Sequence, residues 1–472
     1  MLKIRLMAIA WLINLSPQAA VAEDLDMAQV FSVEHANKAV LQVEAALALS
    51  QAEFGVIPQW AADEIKAKAS LDYLPAADLV AEYGLVRHRM VALLNVWSRE
   101  LGAAAQYVHF GATTVDIYDT TLVLQLLDAT ALLESRLLSI EAVLARRALE
   151  HKATPMIGRT LGQHALPITF GKKLSTWLAE NRRNIERLRS VRAKLQKSAI
   201  LKGAVGSYLG LGASGIAIEQ RFAFYLGLQE PYLADWHGTR DVFAEYALVL
   251  ALISRSYGRI GQELFLLQST DIGETVERRS PSAVGSSTMP HKNNPNRSEA
   301  LIQFGRSIPR LAEVVLDDVD NFFERDNTSR PNKVLEQISL ESDQMLAQAE
   351  PLLARLEVKP QRMVQNMART NQLIMSQRLA FALADQIGKQ VANDRLHVLA
   401  NQALADNVSL REVFLASDLG RLISVAQLDA LLEPTTYIGL AIEQTEGVVG
   451  QIEAQRQRDG VPSAIEQNRR GN

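Results

Sequence analysis

DIYDTTLVLQLLDATALLESRLLSIEAVLARRALEH, Asp116 to His151, runs its full length without a glycine or proline and repeats its apolar residues at helical spacing. A stretch of this kind reads as one long helix, and the chain holds several more. Comparable periodic runs cover Thr169 to Lys197, Asp241 to Glu274, Arg297 to Asp320 and about Glu336 to Leu356, divided by connectors such as Gly203 to Gly215 and Ser280 to Pro295. Long helices must bury an apolar stripe against a partner, so the pattern predicts an elongated central bundle. Shorter helical stretches lie before Gly111 and after about Ala368, and no strand-rich block, repeat or low-complexity linker is visible.

The composition agrees with that reading. At 472 residues the chain exceeds one ordinary core, so two or three domains are expected. Glycine at 26 and proline at 15 fall below average usage, which favours long helices. A net charge of −4 gives no general drive toward nucleic acid or an anionic membrane. The basic run from Arg182 to Lys197 interleaves its charges with Ile185, Leu188, Val191 and Leu195, as a solvated or channel-lining helix face would. Absence of cysteine excludes disulfides, thiol catalysis and thiolate metal sites. The eight histidines show no His-x-x-x-His or His-Glu spacing, so no metal is expected. At the N-terminus, Lys3 and Arg5 precede the apolar Leu6 to Leu15, and Ala20-Val21-Ala22 precedes Glu23. That is the layout of a signal peptide over residues 1–22, which implies a periplasmic or secreted protein. A start at Met27 would instead leave it cytoplasmic. No stretch is long and apolar enough for a membrane span.

One connector carries the chemistry. In GSSTMPHKNNP, Gly285 to Pro295, the glycine lets backbone N–H groups converge on an anion. A serine could act as a base if its alkoxide is held by nearby donors; Lys292 supplies positive charge, and Asn294 supplies amide donors for a carboxylate gaining charge. Such a loop is also consistent with a plain polar connector. Three further segments deserve the same scrutiny: HFGATTVDIYDT from His109, GRTLGQHALPITFG from Gly158 and WHGTRD from Trp236.

Together the four segments resemble those of the fumarase/aspartase superfamily, in the family's order, over nearly the whole chain after residue 27. The resemblance implies an all-α, three-domain fold with a central long-helix bundle: residues 23–110, 111–367 and 368–472. It also implies a homotetramer with active sites shared between subunits, and cofactor-independent proton abstraction next to a carboxylate of a small polycarboxylate substrate. By that resemblance Ser286 is the base, and Lys292 and Asn294 orient the carboxylate. Glu299 matches an acidic residue that partners a catalytic histidine in adenylosuccinate lyases, or else it sits at a helix N-terminus favoured by the dipole. Thr113 and Thr114 could donate to a carboxylate, and Asp116 is read as a helix cap. Thr160 and Gln163 match polar ligands. Where adenylosuccinate lyases place a histidine after the threonine, this chain has Leu161, which cannot transfer a proton. His164 or His88 is then the candidate acid, unless water or another group serves, with a structural role equally open to His88. Arg325 and Ser329, in ERDNTS, are candidate substrate contacts.

The details point to two branches. Trp236-His237 before Arg240-Asp241, the segment from Leu373 to Ala392 and the stretch from Pro434 to Gly439 resemble 3-carboxy-cis,cis-muconate cycloisomerases. Ser298-Glu299 and Glu324 to Ser329 resemble adenylosuccinate lyases, whose C–N cleavage releases fumarate. Asn293 stands where both branches usually carry arginine, which implies a less negatively charged substrate or an altered loop. A catalytically silent member of the family is the remaining reading.

Overall fold

The computed structural model describes residues 25–278, 288–289, 291–329 and 331–465. Seventeen α-helices and four short strands are present among the described residues, so the fold is all-α. The long runs read from the sequence are helices Thr114–Glu150, Phe170–Leu195, Asp241–Leu267, Asn296–Leu316 and Asn332–Arg355. The third stops earlier than its periodicity suggested. After Leu267 the chain turns, with Gly273 at φ 65°, and Glu274 N–H returns to the Leu267 carbonyl at 2.8 Å. Glu274 then leads into strand Thr275–Glu277, paired antiparallel with Leu356–Val358.

The chain divides into two compact units. The first comprises residues 1–134, 188–248 and 311–340. In it helix Val33–Glu53 packs on Gln59–Ala67 and Gly215–Tyr225, burying Leu41, Leu47, Ile65 and Phe222. The second comprises residues 135–187, 249–310 and 341–472. Its core gathers Leu379, Leu383, Leu396 and Phe414, with Ile157 of a β-hairpin packed among them.

The spacing of the Arg182–Lys197 run implied a solvated or channel-lining face; Arg183 and Lys197 are exposed, and the departure is at Arg182. Arg182 is buried and holds Glu141 through both Nε (2.7 Å) and Nη2 (2.6 Å), and its Nη1 reaches Asp459 at 2.6 Å. Further along, Arg189 reaches Glu134 and Lys194 reaches Glu245. A guanidinium desolvated this far requires paired carboxylates, and the bundle supplies them.

Within the second unit two helices meet at glycines. A methyl group on Gly305 would lie 2.9 Å from the Gly258 Cα, with backbone on both sides and nothing flexible to yield. Alanine's better helix propensity, worth up to about 1 kcal/mol, is outweighed by the roughly 1–3 kcal/mol of overpacking. Gly305→Ala should therefore lower the melting temperature; an unchanged or raised transition in calorimetry would refute this close approach.

Candidate active site

The site begins with the first turn of helix Thr114–Glu150. Thr113 N–H donates to Asp116 Oδ2 at 3.0 Å, so Asp116 does cap the helix, as its position suggested. It does more, because it is fully buried and also accepts Lys202 N–H (3.3 Å) and Gly203 N–H (2.9 Å). One turn on, Asp119 faces the same way. His237 bridges the two: Nδ1–H donates to Asp119 at 2.7 Å and Nε2–H to Asp116 at 3.0 Å. A ring that donates from both nitrogens is an imidazolium. Burial alone would lower its pKa, but the hydrogen bonds and charges of the two aspartates outweigh that and raise it.

Arg240 extends the chain of charges. It donates from Nη1 to Asp119 at 2.7 Å and from Nε to Asp318 at 2.6 Å, and its guanidinium lies over the Phe243 ring. Burial opposes ionisation of Asp119, yet Arg240 and His237 hold it below its ordinary value. Ser329 donates its hydroxyl to Asp318, so this candidate supports the network.

Beside the network lies a cavity of about 680 Å³, lined by His88, Thr114, Asp119, His237, Arg240 and Arg325, among others. It thus brings together three residues singled out in the sequence. Arg87 and Arg89 line it as well, giving its wall a cationic character. His88 caps helix Arg89–Leu101, its Nδ1 accepting the Val91 N–H at 3.3 Å. The structural and functional readings therefore coincide: an accepting Nδ1 leaves the neutral ring's proton on Nε2, available to a ligand.

The remaining candidates among the described residues lie in the second unit. Strands Pro155–Thr160 and Gln163–Thr169 form a hairpin whose two-residue turn, Leu161-Gly162, has φ of 52° and 78°. Thr160 and Gln163 pair across this turn, and Leu161 is 101% exposed at its tip. A left-handed leucine with no apolar cover is costly to fold, and such positions concentrate at functional sites. The hairpin is pinned close to its turn by Arg159, which grips buried Glu274 at 3.0 and 2.6 Å, while Asn366 donates to the same carboxylate. His164 sits opposite Arg159 in the ladder and lines a separate cavity with Arg369 and Asn371, not with Thr160 or Gln163.

Ser286 lies outside the described residues. On the C-terminal side of its loop, Lys292 N–H donates to the Met289 carbonyl at 3.0 Å and Asn293 Nδ2 to the Glu277 carbonyl at 3.3 Å. Glu277 anchors the start of helix Asn296–Leu316, its carboxylate accepting N–H groups of Arg297 (3.1 Å) and Ser298 (2.9 Å) and the Ser298 hydroxyl (2.5 Å). Asn294, part-buried, and Glu299, exposed, sit at that helix start. Glu299 lines a shallow groove with Arg306 and Arg310.

Asp119 and Arg240 entered the sequence reading only as members of quoted segments, without a role, and Asp318 and the anchor Glu277 escaped it. A usable signal existed for the first two: Asp116/Asp119 and His237/Arg240 are acid and base pairs with the same three-residue spacing. Glu277 left none, since its partners, two backbone N–H groups and the Ser298 hydroxyl, lie some twenty residues away.

Comparison with known proteins follows the same lines. A family model described as lyase matches residues 22–309, and one described as adenylosuccinate lyase C-terminus matches 372–448. The adenylosuccinate lyase of Methanocaldococcus jannaschii is 34% identical over 430 residues, 90% of this chain and 93% of that protein. The 3-carboxy-cis,cis-muconate cycloisomerase of Pseudomonas aeruginosa is 36% identical over 427 residues, covering 88% and 92%. Among solved structures, the 3-carboxy-cis,cis-muconate lactonizing enzyme from Pseudomonas putida superposes with a TM-score of 0.83 at 32% identity, covering 92% of this chain and 97% of that one.

Proposed function

The chain belongs to the fumarase/aspartase superfamily of lyases, and from that premise we infer that it acts on a small polycarboxylate as a cycloisomerase of the 3-carboxy-cis,cis-muconate type. The observation that carries the reading is Leu161. Set alone at the hairpin tip, it offers an apolar side chain where the nucleotide-linked enzymes carry a proton-transferring histidine. The acid must then come from elsewhere. His88, with its Nε2 proton and cationic surroundings, suits the role.

In this mechanism the Ser286 alkoxide removes the proton next to a carboxylate. Lys292 and Asn294 stabilise the charge that builds on that carboxylate, and Thr114 and Arg325 keep the substrate-contact roles that the family resemblance implies for a site shared between subunits. Trp236 supports the same branch: its indole N–H donates to the Gly203 carbonyl at 3.2 Å, and its ring packs edge-on to His237. No step needs a cofactor, and the active form is proposed to be a homotetramer. The match of residues 372–448 to the adenylosuccinate lyase C-terminus favours a second reading, C–N cleavage releasing fumarate.

Ultraviolet assays separate the two. Purified enzyme given 3-carboxy-cis,cis-muconate should consume its conjugated absorbance, and adenylosuccinate should be turned over at least about a hundredfold less efficiently. Cleavage of adenylosuccinate alone would reverse the assignment, and silence toward both would remove it.

A further inference from the structure

The hairpin of strands Pro155–Thr160 and Gln163–Thr169 changes character partway along its length. Its inner half pairs Pro155 with Thr169, Met156 with Ile168 and Ile157 with Pro167, and buries Met156 and Ile157. At Gly158 the register shifts, and the outer half, where Arg159 faces His164 and Thr160 faces Gln163, follows its own ladder. An irregularity of this kind bends a strand and re-aims the side chains beyond it. Residues 160–163 are all exposed, so burial does not fix the direction in which the outer half points.

Arg159, the first residue beyond the break, supplies that hold. Its two terminal nitrogens grip the Glu274 carboxylate at 3.0 and 2.6 Å, and Asn366 donates to the same group at 2.8 Å. Glu274 itself is fixed at both ends: its N–H donates to the Leu267 carbonyl at 2.8 Å, and its carbonyl accepts the Lys359 N–H at 3.0 Å. All of these residues belong to the second unit. A buried ion pair adds little net stability over an apolar pair of similar volume. What a fork of two parallel hydrogen bonds adds is geometry. We propose that this pair is a positioning device for the reaction, in which Glu274, through Arg159, aims the turn that presents Thr160 and Gln163 to substrate. The proposal rests on the reading of those two residues as substrate ligands and adds to it the contact that orients them.

The signature of such a device is kinetic. A turn aimed elsewhere weakens binding of ground and transition states alike, which raises KM and spares kcat, whereas a pair that served only the fold would lower apparent kcat by loss of active enzyme and leave KM alone. Steady-state kinetics on the full-length protein with 3-carboxy-cis,cis-muconate, or with adenylosuccinate where that is the substrate cleaved, reads the difference, and melting curves report the fold. Arg159→Lys keeps the charge but loses the fork. It should stay folded and raise KM by about tenfold, the loss of roughly one hydrogen bond to substrate. Glu274→Gln, which strips Arg159 of its counter-charge, should raise KM at least as much. Gln163→Ala should raise KM by itself, and its combination with Arg159→Lys should fall well short of the product of the two effects, because both act through one turn. An unchanged KM in Arg159→Lys and Glu274→Gln, beside a raised KM in Gln163→Ala, would overturn the positioning role. An unchanged KM in Gln163→Ala and Thr160→Val would instead overturn the substrate-contact reading beneath it, and the positioning role with it. Fully multiplicative effects in the double variant would show that Arg159 acts by another route, which also overturns the proposal.

Discussion

Ser286→Ala is expected to lower kcat by about 10²–10⁴-fold, the contribution of a positioned proton-transfer group, with little change in KM. The split follows from the division of labour in the loop. Substrate binding and stabilisation of the developing charge are assigned to groups other than Ser286, Lys292 and Asn294 among them, none of which alanine at 286 removes. Its C-terminal support is independent of the serine as well, because Glu277 holds the helix start through three hydrogen bonds and the Lys292 N–H is tied to Met289. Steady-state kinetics on whichever substrate proves active, with a melting curve to show that the variant is folded, measures this directly. Undiminished kcat would remove Ser286 as the base. A rise in KM with unchanged kcat would make it a binding residue instead.

The long helices were legible because their signal is local. Periodicity over Asp116 to His151 needs no tertiary information, and the observed Thr114–Glu150 differs by a residue or two at each end. The Leu161 turn was less legible: the sequence marks it as a departure from relatives, but its left-handed backbone emerges only when Thr160 and Gln163 are seen to pair. His164 looked like a natural acid by type and neighbourhood. In strand Gln163–Thr169 it lines a cavity with Arg369 and Asn371, neighbours that only the folded second unit supplies. The charge network was invisible for a different reason. Asp116 and Asp119 meet His237 some 120 positions later, and only folding brings such separated charges into register.

That network sets the second large expectation. Asp119→Ala would leave His237 and Arg240 short of a shared carboxylate in a region where both are almost wholly buried, with His237 only 3% exposed. Removing one partner of a buried pair costs about 3–5 kcal/mol, more than most single substitutions. The same contacts make stability depend on pH, with signs fixed by the direction of each shift. His237 titrates higher in the folded protein than its unfolded value near 6.5. Its contribution is therefore complete below about that pH, and is lost as pH rises through the folded pKa. Asp119 is lowered, so its contribution is present above its unfolded value of roughly 3.9 and is lost only as pH falls through the folded value. Chemical denaturation of the wild type between about pH 6 and pH 9 should accordingly show a decline on the alkaline side. His237→Gln, which keeps a hydrogen-bond donor but cannot take up the proton, should be less stable at the acid end of that range and show a flatter decline. A variant whose stability runs parallel to the wild type across the whole range would mean that the ring is not the charged bridge between Asp116 and Asp119, whatever the loss in absolute stability.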